Sequence, residues 1–320
     1  MKNRIAALLL AFITALQMMS GVFVAASEET PIVPVDEPKV TVNSVNMILD
    51  GEIGLVFHVT VPDEYLDGYV TLTCKGDTVK TEIRDCTERD KNLRYLFTRH
   101  LSAIELSEQV CITVYDKNGT SLATMSRSAE DYAKLLRNNA RATEAEKKVA
   151  ETLINYGHYA QLACAEANGW SVGKDCTATT AFYAPTVDAS AFSDYAVDWI
   201  ARSERFEHPS MSLRLGCNTA ILLYIPVKEK PTVKVNGKTV EAVPSAYVEN
   251  TYEIEIPGIH ALNLADEYTV EADDAVFKIS AFSYYALAAE HSASRNTVDT
   301  VRAMYELYDA TEKYLASVTK

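Results

Sequence analysis

Leu101-Ser-Ala-Ile-Glu-Leu106 returns, altered but in step, as Ile259-His-Ala-Leu-Asn-Leu264. Each copy is followed by an acidic turn and a strand-like run, Val110 to Val114 in one and Tyr268 to Ala272 in the other. Upstream, Tyr69 to Val79 is similar to Thr232 to Val240, where Asn236-Gly237 is a strong hairpin signal because both residues tolerate positive φ. Downstream, Asp131-Tyr132-Ala133 pairs with Tyr284-Tyr285-Ala286, and Asn155-Tyr156 with Leu307-Tyr308. Agreement of order and spacing across most of each half is the mark of an internal duplication.

The rest of the chain fits this frame. In the first half, Val40 to Val45 and Ile53 to Val61 alternate β-branched and aromatic residues, and Tyr69 to Cys74 with Val79 to Ile83 reads as a hairpin around Gly76-Asp77. Leu93 to Thr98, Val110 to Tyr115 and Ser121 to Met125 complete an antiparallel β unit. The period then changes from two to 3.6. Ser128-Ala-Glu-Asp131 opens a helix to about Asn139, and the capping box Thr143-Glu-Ala-Glu146 opens another that ends at Asn168-Gly169. Within the second helix Ala145, Val149, Leu153, Tyr156, Ala160 and Ala163 share one face. The expected fold is α+β, two tandem modules, each an antiparallel β-sandwich or curled sheet with a packed helix pair. The expected boundaries are a signal peptide at 1–26, a linker at 27–38, module 1 at 39–169, a connector at 170–204 and module 2 at 205–320.

Lys2 and Arg4 precede an apolar run from Ile5 to Ala26 that ends in the small residues Val24-Ala25-Ala26-Ser27. A membrane anchor and a cleaved leader both fit that length; Thr14, Gln17 and Ser20 within the run and the cleavage-like end favour the leader. The expected localisation is therefore secreted or cell-surface associated, with no membrane insertion after cleavage. The formal net charge of −14 becomes about −16 without the leader's two cations, and it is spread along the chain. Such a balance argues against nucleic acid and anionic membrane as partners.

Six cysteines in an exported chain suggest disulfides, with free thiols the alternative. The preferred pair is Cys164 with Cys176, which flank a short loop after a helix end. Lacking a CxxC pair or a histidine at ligand spacing, these cysteines give no zinc pattern. No metal ligand, cofactor-binding residue or catalytic residue is expected: HExxH, GxSxG and phosphate-binding glycine loops are all missing. The histidines read as structural or superficial, His58 alternating within a strand and His158 at the boundary of a helix face. Carboxylates are numerous, but no acidic residue of one half stands in a setting the other half lacks, which argues against a glycosidase pair. Of the 18 tyrosines, Tyr132, Tyr156, Tyr285, Tyr305 and Tyr308 fall on core-facing helix positions, while Trp170 and Trp199 in the connector are weak sugar-stacking candidates.

The residues that carry the repeat also carry a resemblance. Ser128-Ala-Glu-Asp-Tyr-Ala133, Leu153-Ile-Asn-Tyr-Gly-His-Tyr-Ala-Gln161, Met211-Ser-Leu-Arg-Leu215 and Ala303-Met-Tyr-Glu-Leu-Tyr308 together resemble a duplicated extracellular module of surface and secreted proteins of gut clostridia, of the Lachnospiraceae and Ruminococcus type. Some surface proteins of that bacterial group are superantigen-like binders of immunoglobulin. Export, the lack of a catalytic constellation and exposed β edges give the expectation of a secreted, non-catalytic binding protein whose partner is an extracellular host protein, and the resemblance makes immunoglobulin the first candidate. A glycan-binding accessory module and a structural envelope component are the alternatives. The chain departs from the pattern in its six cysteines and in Gly216-Cys217-Asn218, which leaves the ligand-binding residues unassigned.

Overall fold

The computed structural model describes residues 39–49, 53–195, 209–215, 219–259 and 262–318. The leader and linker, residues 196–208 with Trp199, and Cys217 lie outside the described residues. The architecture is α+β, with four antiparallel sheets and a layer of helices. In the first half the strands are β1 (Thr41–Leu49), β2 (Ile53–Thr60), β3 (Tyr69–Cys74), β4 (Asp77–Glu82), β5 (Tyr95–Leu101), β6 (Val110–Tyr115) and β7 (Ser121–Arg127), followed by α1 (Ala129–Asn138) and α2 (Glu144–Asn168). The second half holds β8 (Ser210–Arg214), β9 (Thr219–Pro226), β10 (Val233–Val235), β11 (Lys238–Val240), β12 (Ala242–Pro244), β13 (Thr251–Ile259), β14 (Tyr268–Ala272) and β15 (Ala275–Ile279), then α3 (Ala281–His291) and α4 (Arg295–Val318).

Sheets β1-β2-β5 and β4-β3-β6-β7 in the first half stand beside β8-β9-β13-β12 and β11-β10-β14-β15 in the second. Apart from β12 the orders correspond strand by strand. Register agrees as well, for Ile53 opposes Leu101 on β2 and β5, and Thr219 opposes Ile259 on β9 and β13. The same motif anchors the helices: the Glu130 N–H donates to the Leu106 carbonyl at 2.9 Å, and the Phe282 N–H to the Leu264 carbonyl at 3.3 Å. Both β3-β4 and β10-β11 turn through two residues with positive φ, Lys75-Gly76 (52° and 84°) and Asn236-Gly237 (51° and 76°). These are the mirror-image turns whose twist matches a hairpin. The first lies one residue earlier than the sequence expectation.

Local chemistry explains the helices. Ser128 Oγ accepts the Asp131 N–H at 3.0 Å while the Asp131 carboxylate accepts the Ser128 N–H, and Thr143 and Glu146 make the same reciprocal box on α2. Gly169, at φ 66°, ends α2 in the left-handed cap. Caps also correct the helix alignment. Ser128 and Ser280 cap α1 and α3, which sets Tyr132 level with Tyr284, one place from the Tyr285 pairing drawn from the sequence. Likewise Thr143 and Ser294 place Tyr156 level with Leu307 rather than Tyr308. Adjacent tyrosines at 284 and 285 make both alignments plausible in sequence, and only the helix phase chooses.

α1 touches β1 and α3 touches β8, but the most extensive contact between elements joins α2 to α4 across the two halves. The reason is visible in α2, where Val149, Leu153, Tyr156 and Ala160 are buried and so are Thr152, Ile154, Asn155 and Gln161 on the flanks. A helix covered that widely is central to a core, not laid on its surface. Hydrogen bonds support the junction, with Glu166 accepting from Ser294 Oγ at 2.7 Å and Asn296 Nδ2 at 2.8 Å, and Glu306 from the Thr186 N–H at 2.9 Å.

The connector is fastened to α2. Gln161 Oε1 accepts the Thr179 N–H at 2.7 Å, Asn155 Oδ1 accepts the Phe182 N–H at 2.8 Å, and His158 Nδ1 donates to the Thr179 carbonyl at 2.6 Å. Buried amides thus satisfy backbone groups that have no ladder. The following turn, Ala189–Tyr195, inserts Phe192 among Phe282, Tyr285 and Tyr305.

Candidate functional site

β2 is buried on both faces. Leu55, Phe57 and Val59 point to the core, whereas Val56 and His58 point the other way, where a strand of such a small sheet normally meets water. The chain between β4 and β5 covers them. It folds back on β5 through a single bridge from Arg89 to Tyr95, and the Asp90 N–H donates to the Arg94 carbonyl at 3.0 Å. In the second half β12 pairs with β13 in the corresponding place. Where the second half has β12, the first half has this single bridge and a turn built on polar side chains.

Asp90 is the centre of that turn. Its Oδ1 accepts the Asn92 and Arg94 N–H groups at 2.8 and 3.0 Å, and its Oδ2 accepts Arg94 Nε at 2.6 Å and His58 Nδ1 at 2.9 Å. On the far side of the ring, His58 Nε2 accepts Asn46 Nδ2 from β1 at 2.9 Å. Asn46, His58 and Asp90 are all nearly inaccessible. Burial holds His58 below its ordinary pKa against the raising effect of Asp90, so the ring is neutral with its proton on Nδ1. Burial pushes the Asp90 carboxyl up, but the hydrogen bonds from His58, Arg94 and Asn92 outweigh it and bring the group down to about 2. An anion beside a neutral imidazole and a cation therefore lies beneath the surface.

A Ser-His-Asp arrangement is the obvious chemical comparison, because Ser44 lies directly opposite His58 in the β1-β2 ladder. It lacks the decisive contact. The basic nitrogen of His58 already accepts the Asn46 amide, and Ser44 Oγ makes no hydrogen bond to it, so no base is poised on a hydroxyl. Both Asp90 oxygens are saturated as well. The cluster is suited to holding the loop 86–94 on the sheet.

What this cluster shapes is a groove. Thr41, Val42, Asn43, Ser44, Val45 and Asn46, six consecutive residues of β1, line a cavity of about 750 Å³. Lys91, Asn92 and Arg94 stand on one bank and Met125, Arg127 and Leu135 on the other, with His58 and Tyr132 buried beneath them. β1 is an edge strand, paired only with β2, and β7 is the edge of the neighbouring sheet. A bulge between Val42 and Ser44 bends β1 at this point, with Thr60 Oγ1 donating to the bulged Asn43 at 2.8 Å. Bulges commonly end pairing and re-aim side chains beside a site.

Sequence reasoning missed this assembly. His58 was legible as a strand residue, but Asp90 lies 32 positions away in a loop with no distinguishing motif. The expectation that neither half holds an acidic residue in a special setting is overturned by it, since Tyr224, bonded to Ser212 Oγ, occupies the position of His58 on β9. Elsewhere the expected features are scattered. Cys164 and Cys176 are free thiols, partly buried, and close enough for one to raise the other's pKa, although burial has the larger effect on Cys164. Tyr69 and Tyr115 stack on each other at 4.9 Å on the outer face of β3 and β6, and Lys80 covers Tyr69 at 4.0 Å, so these ring faces are already occupied. Trp170 is exposed. Among the described residues no group of three or more His, Cys, Asp or Glu stands close enough to hold a metal, and no helix is long and apolar enough to cross a membrane.

No protein-family model matches the chain, and no curated protein matches it.

Proposed function

We propose that this protein is an exported, non-catalytic binding protein made of two diverged tandem modules, and that the edge of β1 is where a partner docks. The observation that carries the reading is the groove along six consecutive residues of an unpaired strand edge. Exposed edges accept an extended segment of a partner through main-chain hydrogen bonds, with side-chain pockets supplying selectivity. The fully satisfied His58-Asp90 pair supports a scaffolding role over a catalytic one. Duplication is supported by the corresponding strand orders and by the paired anchors at Leu106 and Leu264.

The partner is an extracellular host protein, with immunoglobulin the first to test, and the protein acts outside the cell or at its surface. Surface plasmon resonance of the chain from Ser27 to Lys320 against pooled immunoglobulin and its fragments, at physiological ionic strength and with chelator present, is the direct measurement. A saturable signal that survives chelator is expected. No saturable signal at micromolar protein removes immunoglobulin as the partner.

A further inference from the structure

The charges on the groove run against those of the molecule. The chain carries a formal charge of −14, yet the charged side chains that line the groove, His58 aside, are Lys91, Arg94 and Arg127. No carboxylate lines it. Asp90, the nearest acid, is turned beneath the surface, where His58 and Arg94 consume both the position and the charge of its outer oxygen. Neither Lys91 nor Arg127 has an ion-pair partner among the described residues, whereas most other lysines and arginines of this half do. Lys91 and Arg127, neither of them in an ion pair although Arg127 acts on the Asp131 carboxylate at longer range, therefore face one cavity together with Arg94, whose charge Asp90 balances.

The groove also offers polar groups awaiting partners. The outward edge of β1 supplies main-chain donors and acceptors that no neighbouring strand uses. A ligand that satisfies all of these at once must be extended, must carry its own backbone N–H and C=O groups, and must bear negative charge towards both banks. We infer that the groove takes an acidic peptide segment in extended conformation, added as a further strand on β1, with carboxylates directed to Lys91 and Arg94 on one side and to Arg127 on the other. This rests on the reading of the β1 edge as the docking site, and names the chemistry that edge selects. It also explains why an acidic protein places Lys91 and Arg127, outside any ion pair, on one groove: they exclude basic segments by repulsion and pull acidic ones in from a distance.

The test uses the chain from Ser27 to Lys320 and synthetic probes, so that its outcome is independent of immunoglobulin. A fluorescein-labelled heptapeptide, Glu-Thr-Val-Glu-Val-Thr-Glu with blocked ends, is titrated by fluorescence anisotropy beside two relatives. In the first relative every Glu is replaced by Gln; in the second the three central amides are N-methylated with the carboxylates kept. The acidic peptide is expected to bind about tenfold or more tightly than either relative, with an affinity that falls as salt rises. Lys91→Glu with Arg127→Glu, both exposed, is expected to abolish that preference in a protein that still melts cooperatively, with a small loss of midpoint because Arg127 steadies the Asp131 carboxylate of the α1 cap. Equal binding of the Gln peptide overturns the charge assignment, and equal binding of the N-methylated peptide overturns strand addition in favour of a simple anion site. Failure of all three peptides overturns the inference outright. Immunoglobulin binding that persists in the double charge reversal leaves the proposed function standing and removes only this account of its site.

Discussion

His58 on β2 and Asp90 in the loop before β5 meet at 2.9 Å across 32 residues of chain, and this contact holds the loop that forms one bank of the groove. Each partner satisfies the other in a place water scarcely reaches. Removing one leaves a buried polar group unpaired, which costs more than the bond itself contributes.

Asp90→Ala is expected to lower stability by about 2 to 4 kcal/mol, because it strands the His58 Nδ1 proton and leaves Arg94 without its anion. The pH dependence follows from the signs. Asp90 has its pKa depressed from the ordinary 3.8 to about 2, so its contribution is whole above roughly pH 4 and is lost as pH falls towards 2. His58 is likewise depressed from 6.5, so acid begins to favour the unfolded chain once pH drops below that value. Thermal midpoints should be level above pH 7, decline below 6.5 and fall again between 4 and 2. In His58→Gln the first decline should shrink; an unchanged profile would refute the assignment.

Gly68 has no room for a side chain. A Cβ there would run into the Tyr115 carbonyl, which is main chain of a central strand and cannot step aside. Gly68→Ala should cost about 2 to 3 kcal/mol by overpacking, measured as a shift in the urea midpoint with an unchanged slope. A shift of a few tenths would mean that the β2-β3 connection relaxes freely.

The α2-α4 junction makes the halves interdependent. Residues 39–187 produced alone expose the α2 face that α4 covers, and should give a broad thermal transition with dye-binding apolar surface. A sharp, cooperative melt close to that of the full chain would show that the first half is a self-sufficient domain.

Cys164 and Cys176 are expected to cross-link on oxidation. Closing the turn after α2 should raise stability by about 2 to 3 kcal/mol if the bond forms without strain. Peptide mapping of oxidised, unreduced protein is the check, and recovery of both residues only as alkylated thiols decides against it.

Sequence alone determined the local events. Ser128 with Asp131 and Thr143 with Glu146 fix two helix starts, Gly169 fixes an end, and Asn236-Gly237 fixes a hairpin, because each depends on groups a few residues apart. The strands of the β unit and the Leu101–Ile259 correspondence were legible for the same reason, as alternation and a repeated motif. Tertiary structure decided what depends on distant partners. It set Asp90 beneath His58, made α2 a central helix shared by both halves, and bent β1 beside a cationic groove. Those features arise from burial and from the closure of long loops, and nothing in a residue's own neighbourhood along the chain reports which remote side chain will desolvate it or supply its missing hydrogen bond.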